Sequence, residues 1–330
     1  MNNKITAAIT GVGGYVPEYR LTNKELETMV DTNDEWIISR TGIKERRILK
    51  EKDAGTSFMA IRAAKCLIEN NNIDPETIDL LIVATATPDV KAASTAVYTA
   101  TQIGAVNAFA FDMDAACSSF LYGMSVAAKY IESGKYKRVV LIGADKCSSM
   151  IDYTDRATCI IFGDGAGAVL FEPNQEGHGV QDEFLRSDGV GREYLLAKAG
   201  GSSKHTSMET LENREQYVKQ DGKTVFKNAI SKMASAVQSI FERNQLTVDT
   251  VQWLLAHQAN KRIIDATAQR IGISEDKALV NIEKYGNTTS ATLPLLLWDF
   301  EKRFKKGDKV IFVTFGGGFT WGSIYLTWAY

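Results

Sequence analysis

Histidine, cysteine and proline are all scarce in this 330-residue sequence, with three, four and five copies respectively. The cysteines, Cys66, Cys117, Cys147 and Cys159, never fall at Cys-x-x-Cys spacing, which excludes a small secreted disulfide framework. No metal-ligand cluster is recognisable, so no metal is expected. Neither charge predominates: 38 Lys and Arg against 40 Asp and Glu leave a net −2, which gives no support to a nucleic-acid partner. No apolar run approaches the ~20 residues needed to span a bilayer. The opening Met1-Asn2-Asn3-Lys4-Ile5-Thr6 lacks the charged-then-apolar pattern of a signal peptide. The expectation is a cytoplasmic protein with no membrane partner.

What is present is an α/β pattern. Runs rich in Val, Ile and Leu predict buried strands at 80–84, 139–143 and 310–314. Helical patterns occupy 57–70, 118–133, 227–244 and 263–271. The second half echoes the first. Asp74-Pro75-Glu76-Thr77-Ile78-Asp79-Leu80-Leu81-Ile82-Val83-Ala84 returns as Val248-Asp249-Thr250-Val251-Gln252-Trp253-Leu254-Leu255-Ala256, and Ile103-Gly104 returns as Ile271-Gly272. Glu132-Ser133-Gly134-Lys135 before a Val-rich strand returns as Lys305-Lys306-Gly307-Asp308-Lys309. A shared offset of roughly 170 residues across all three argues duplication, with halves at 1–173 and 174–330. No Pro-rich or Gly/Ser-rich linker separates them, so they are expected to pack into one body. The polar stretch 200–223 breaks the pattern and reads as an insertion or surface loop.

Cys117 falls where the strand-like run 108–113 gives way to a helix. A thiol there meets free N–H groups and the positive end of the helix dipole, which predicts a lowered pKa and a nucleophilic thiolate. The other three cysteines read as structural. His257 follows the strand 253–256, at the carboxyl end where α/β proteins place ligand-binding groups; His178 and His205 read as solvated surface residues. Asn287 precedes another helix, almost where Cys117 falls in the first half, which predicts two helix N-termini facing one pocket. Taken alone it is an N-cap. Gly316-Gly317-Gly318 reads either as a turn or as backbone offered to a developing oxyanion. Gly163-Asp164-Gly165-Ala166-Gly167 lacks the Lys-Ser/Thr of a phosphate loop and reads as tight strand packing.

Together these residues resemble the β-ketoacyl-ACP synthase III family of the thiolase-like superfamily, over essentially the whole chain. The motifs are Asp34-Glu35-Trp36-Ile37, Arg40-Thr41-Gly42-Ile43, Ala115-Ala116-Cys117-Ser118, Phe162-Gly163-Asp164-Gly165-Ala166-Gly167, His257-Gln258-Ala259-Asn260, Tyr285-Gly286-Asn287-Thr288 and Phe315-Gly316-Gly317-Gly318-Phe319-Thr320-Trp321-Gly322. The resemblance implies a duplicated five-layered α/β/α/β/α fold and a homodimer. It makes Cys117 the acyl-accepting nucleophile, and His257 and Asn287 the pair that holds a malonyl thioester and its enolate. The N–H groups of Cys117 and Gly317 become the oxyanion hole. Trp36 and Arg156 would sandwich the adenine of coenzyme A, with Thr32, Arg40, Gly222, Phe226 and Asn260 along the channel. Lys227, Lys261 and Arg262 resemble a patch for acidic acyl carrier protein (ACP), and are equally readable as a solvated helix face.

The implied reaction is decarboxylating condensation of an acyl-CoA primer with malonyl-ACP, initiating type II fatty-acid synthesis without a cofactor. The alternatives are a related synthase for secondary metabolites or long-chain ketones, a Cys-His thiol hydrolase, and a non-catalytic acyl-binding scaffold. Two departures stand out. Ser119 replaces a frequent Gly and is expected to crowd the turn slightly. Ala92 stands where some members carry a Phe that closes the primer pocket of the neighbouring subunit, which predicts primers longer than acetyl.

Overall fold

The protein is described by a computed structural model over residues 5–330; Met1 to Lys4, part of the opening segment read above, lie outside the described residues. Leu80–Ala84 is buried along its whole length because it has parallel partners on both sides, Phe109–Met113 and Val139–Lys146. Asp164–Asn174 and then Thr6–Tyr15 continue this five-stranded sheet in antiparallel fashion. The second sheet runs Trp253–Ala256, Lys309–Gly316, Thr320–Thr327, Gly179–Ser187. Read from Leu80–Ala84 and from Trp253–Ala256, the two sheets show the same sequence of one parallel and two antiparallel pairings. The counterpart of Phe109–Met113 is reduced to a single parallel bridge, Leu254 to Ala278.

Helices complete five layers. Thr56–Asn70 covers the outer face of the first sheet. Ser119–Glu132 and Thr292–Phe300 lie between the sheets, and Gly222–Asn244 with Lys261–Ile271 covers the outer face of the second. The central layer is tight. A Cβ on Gly167 would approach Pro294 Cβ to 2.7 Å, so the glycine-rich segment at 163–167 admits the helix Thr292–Phe300 against its strand.

The segment 200–223 is not an open loop. Ser207 and Thr210 cap the short helix Met208–Glu212 reciprocally, and Val218–Gln220 pairs with Leu195–Ala197. Arg214 binds the buried Asp152 carboxylate at 3.0 Å and so ties the segment to the body of the protein. The helix expected from Lys227 starts at Gly222 because Asp221 caps it, accepting from Thr224 N at 3.0 Å. Among the described residues no helix is long and apolar enough to cross a membrane.

Candidate active site

Cys117 sits in a single 3₁₀ turn, Ala116–Ser118, that runs into the helix Ser119–Glu132. The preceding Ala116 has φ +51°, a left-handed conformation that costs a non-glycine residue ~1–2 kcal/mol. The turn is held in that state by Ser119, whose Oγ accepts from Ala115 N at 2.7 Å and donates to Ala116 O at 2.6 Å. Ser119 therefore braces the turn instead of crowding it.

The equivalent turn in the second half is Thr289–Ala291, which opens on Thr289 at φ +53° and leads into Thr292–Phe300. The counterpart of Cys117 is thus Ser290, three residues beyond Asn287. Ser290 N bonds the buried Asp145 carboxylate at 2.9 Å and Ser290 Oγ bonds it more closely still, across to the first half. Asn287 is fixed by its own turn: its Oδ1 accepts from Thr289 N at 2.9 Å, which leaves the Nδ2 hydrogens for the cavity it lines. His257 follows its strand as expected and is 2 % exposed, with Nδ1 2.8 Å from Thr292 Oγ1.

The glycine turn approaches Cys117 from the opposite sheet. Thr314 Oγ1 donates to Ser118 Oγ at 3.0 Å, Ser118 Oγ to Thr320 O at 3.2 Å, and Thr320 Oγ1 to Ala115 O at 2.8 Å. At Gly316 the backbones are so close that a Cβ would stand 2.8 Å from Cys117 N and 3.1 Å from Ser118 N. Gly316→Ala is expected to displace the Cys117 N–H and slow acylation about 10- to 100-fold, short of the loss from deleting an oxyanion donor outright. Stopped-flow acylation with an acyl-CoA measures this, and an unchanged rate would mean that the turn yields.

Cys117, His257, Asn287, Gly316 and Gly317 line one cavity of about 230 Å³, otherwise walled mostly by apolar residues including Met150, Phe162, Leu195, Val218 and Phe226. Val218, Gln220 and Gly222 bring the 200–223 segment into this wall. An outer hollow of about 590 Å³ shares Ile161, Gly222, Phe226 and Asn260 with it, and is lined by Trp36, Arg40, Arg156 and Arg262. Asn260 ties the two halves at this mouth, donating from Nδ2 to Arg40 O at 2.9 Å while capping its own helix.

Arg156 lies directly over Trp36, with Cζ 4.9 Å from the ring centroid. A purine enters between them only if the guanidinium swings aside. Thr32 lines neither cavity, and its Oγ1 is buried without a partner among the described residues. Lys227, Lys261 and Arg262 are exposed, but Lys261 is paired with Asp265 at 2.7 Å. His205 is exposed as expected, whereas His178 is mostly buried, its Nδ1 3.5 Å from Glu176.

The electrostatics reverse one expectation. Burial pushes the Cys117 thiol from its ordinary 9.0 up to about 12, and the Asp145 and Asp114 carboxylates push the same way. A rise of this size is ~4 kcal/mol, whereas a helix terminus offers at most ~2 kcal/mol; desolvation wins. Burial likewise lowers His257 to about 3, so the imidazole is neutral across the physiological range. Sequence reasoning missed Thr292, Asp145 and Ser290, whose partners lie far off in the chain. Among the described residues no group of three or more His, Cys, Asp or Glu is arranged to hold a metal ion.

The family model for 3-oxoacyl-[acyl-carrier-protein (ACP)] synthase III matches residues 111–189, and that for its C-terminal part matches 241–328. The chain is 56% identical to β-ketoacyl-[acyl-carrier-protein] synthase III 2 of Bacteroides thetaiotaomicron over 327 residues, covering 99% of this chain and 98% of that protein. The crystal structure of the Aquifex aeolicus 3-oxoacyl-[acyl-carrier-protein] synthase III superposes with a TM-score of 0.89 at 39% identity, covering 98% of this chain and 100% of that one. The priming β-ketosynthase of the R1128 polyketide biosynthetic pathway superposes with a TM-score of 0.91 at 32% identity, covering 100% and 98% respectively.

Proposed function

Because the chain belongs to the 3-oxoacyl-[acyl-carrier-protein] synthase III family of acyl-transferring condensing enzymes with the thiolase-like α/β fold, we propose the following division of labour among its residues. Cys117 accepts an acyl group from acyl-CoA. Its sulfur bonds the thioester carbon, the C–S bond to coenzyme A breaks, and the thiol proton leaves on the coenzyme A sulfur. The N–H groups of Cys117 and Gly317 hold the oxyanion. Malonyl-ACP then loses carbon dioxide, with hydrogen bonds from His257 and Asn287 to the enolate oxygen. The carbanion attacks the acyl-enzyme and releases β-ketoacyl-ACP, and Cys117 regains a proton from solvent. Acyl-CoA and malonyl-ACP enter as substrates and no cofactor takes part.

The observation that carries this reading is the convergence of Cys117, His257 and Asn287 on one apolar cavity that opens through Phe226 and Asn260 to a basic mouth. Coenzyme A lies along Trp36, Arg40, Arg156, Gly222, Phe226 and Asn260; the carrier protein meets Lys227, Lys261 and Arg262. Residues 1–173 and 174–330 are the duplicated halves. The enzyme is a cytoplasmic homodimer. Phe109–Met113 is an edge strand, and Phe109 on it, with Val97, Tyr98 and Val106 nearby in the chain, exposes a large apolar side chain. A second reading, priming of a polyketide, is favoured by the similarity to the R1128 enzyme and uses the same residues.

Intact-mass measurement with acyl-CoAs of increasing length tests the reading. One adduct on Cys117, discharged by malonyl-ACP with release of carbon dioxide, is the expected result; no adduct with any primer overturns it. Ala92 is exposed in a loop at φ +72° and carries only a methyl group. Primers longer than acetyl are therefore expected to load at least as fast as acetyl, and much slower loading would show that another residue closes the pocket.

A further inference from the structure

A neutral imidazole carries one N–H, and donating to an enolate at the cavity requires that hydrogen on Nε2. Nδ1 must then accept. The partner within reach is Thr292 Oγ1, 2.8 Å away and belonging to a residue 2 % exposed at the start of Thr292–Phe300. That hydroxyl has a second outlet, Thr289 O at 3.1 Å. The two outlets compete for one hydrogen. If it points to Thr289 O, Nδ1 must supply the proton between itself and Oγ1, and Nε2 is left bare.

We propose that Thr292 is a positioning residue for decarboxylation, donating its hydroxyl hydrogen to His257 Nδ1 and so fixing the tautomer that presents Nε2–H to the thioester oxygen. The assignment rests on the proposed function, which makes His257 a donor to the enolate. Burial of His257, which disfavours a second ring proton, is what makes the choice of nitrogen matter. The hydroxyl does not reach the substrate; it acts through the ring.

The two half-reactions separate this role from packing. Carbon dioxide release from malonyl-ACP and acylation of Cys117 by acetyl-CoA are measured on wild type, Thr292→Val and Thr292→Ser. Valine keeps the shape without the hydroxyl. It is expected to lower kcat for carbon dioxide release by roughly 10²-fold, the cost of one lost transition-state donor, while acylation stays within about threefold. Serine restores release. Release kept by Thr292→Val overturns the assignment, as does equal loss in both half-reactions, or Thr292→Ser failing as badly as Thr292→Val. Should Thr292→Val not fold, Thr292→Ala carries the same comparison. A wild-type protein that releases no carbon dioxide overturns the proposed function itself, and this assignment with it.

Discussion

Cys117→Ala is expected to give no acyl adduct with any acyl-CoA and to lower condensation by on the order of 10³-fold or more, the scale at which a lost nucleophile is felt. The substitution removes one sulfur atom from a wall of the cavity and leaves the bonds of Ser118, Ser119 and Thr320 around the turn in place. Folding is therefore preserved, and the loss belongs to chemistry. Steady-state rates with an acyl-CoA and malonyl-ACP, together with intact mass, measure it. Activity within tenfold of wild type would remove Cys117 from the mechanism. Cys117→Ser is expected to fare little better: the same burial that pushes the thiol up to about 12 disfavours an alkoxide more strongly.

A large effect on stability is expected from His257 in acid. Its pKa in the folded protein is lowered to about 3 from 6.5, so the stability tied to this group is fully present above pH 6.5 and is lost as pH falls toward 3. At ~1.4 kcal/mol per pH unit, wild type gives up about 3 kcal/mol more than His257→Gln between pH 7 and pH 4. Carboxylate titrations are common to both proteins and cancel in the difference. Urea unfolding at a series of pH values reads it directly. Parallel curves would show that His257 is solvated in the native state.

Much of this was legible in the sequence. The strands at 80–84 and 253–256 announced themselves because a strand flanked by parallel neighbours must be apolar on both faces. Cys117 and His257 stood where a strand gives way to a helix, and Asn287 just ahead of another helix, positions at which α/β topology places ligand-binding groups. Legibility stopped at long-range polar pairing. Nothing near Asp145 in the chain tells that it accepts from Ser290 and from Thr85, Ala86 and Thr87. Thr292 looked like any helix-starting threonine, and only the fold sets it against His257. The thiol was misjudged for a related reason. The helix terminus is a local property, whereas burial depends on Gly316 arriving from a strand near the other end of the chain. The polar composition of 200–223 concealed its place in the cavity wall, to which it contributes Val218, Gln220 and Gly222.

The stitching of the Cys117 turn to the glycine turn has a consequence during synthesis. A ribosome delivers Cys117 long before it delivers Thr314 and Thr320, whose bonds to Ser118 and Ala115 span 196 and 205 residues. Until they arrive, the sulfur is that of an ordinary solvated cysteine, ionising as a free thiol does and open to oxidants. Closure of the second half removes it from water and quiets it. The growing chain therefore carries the Cys117 thiol unshielded, and completion of the fold acts as its protection.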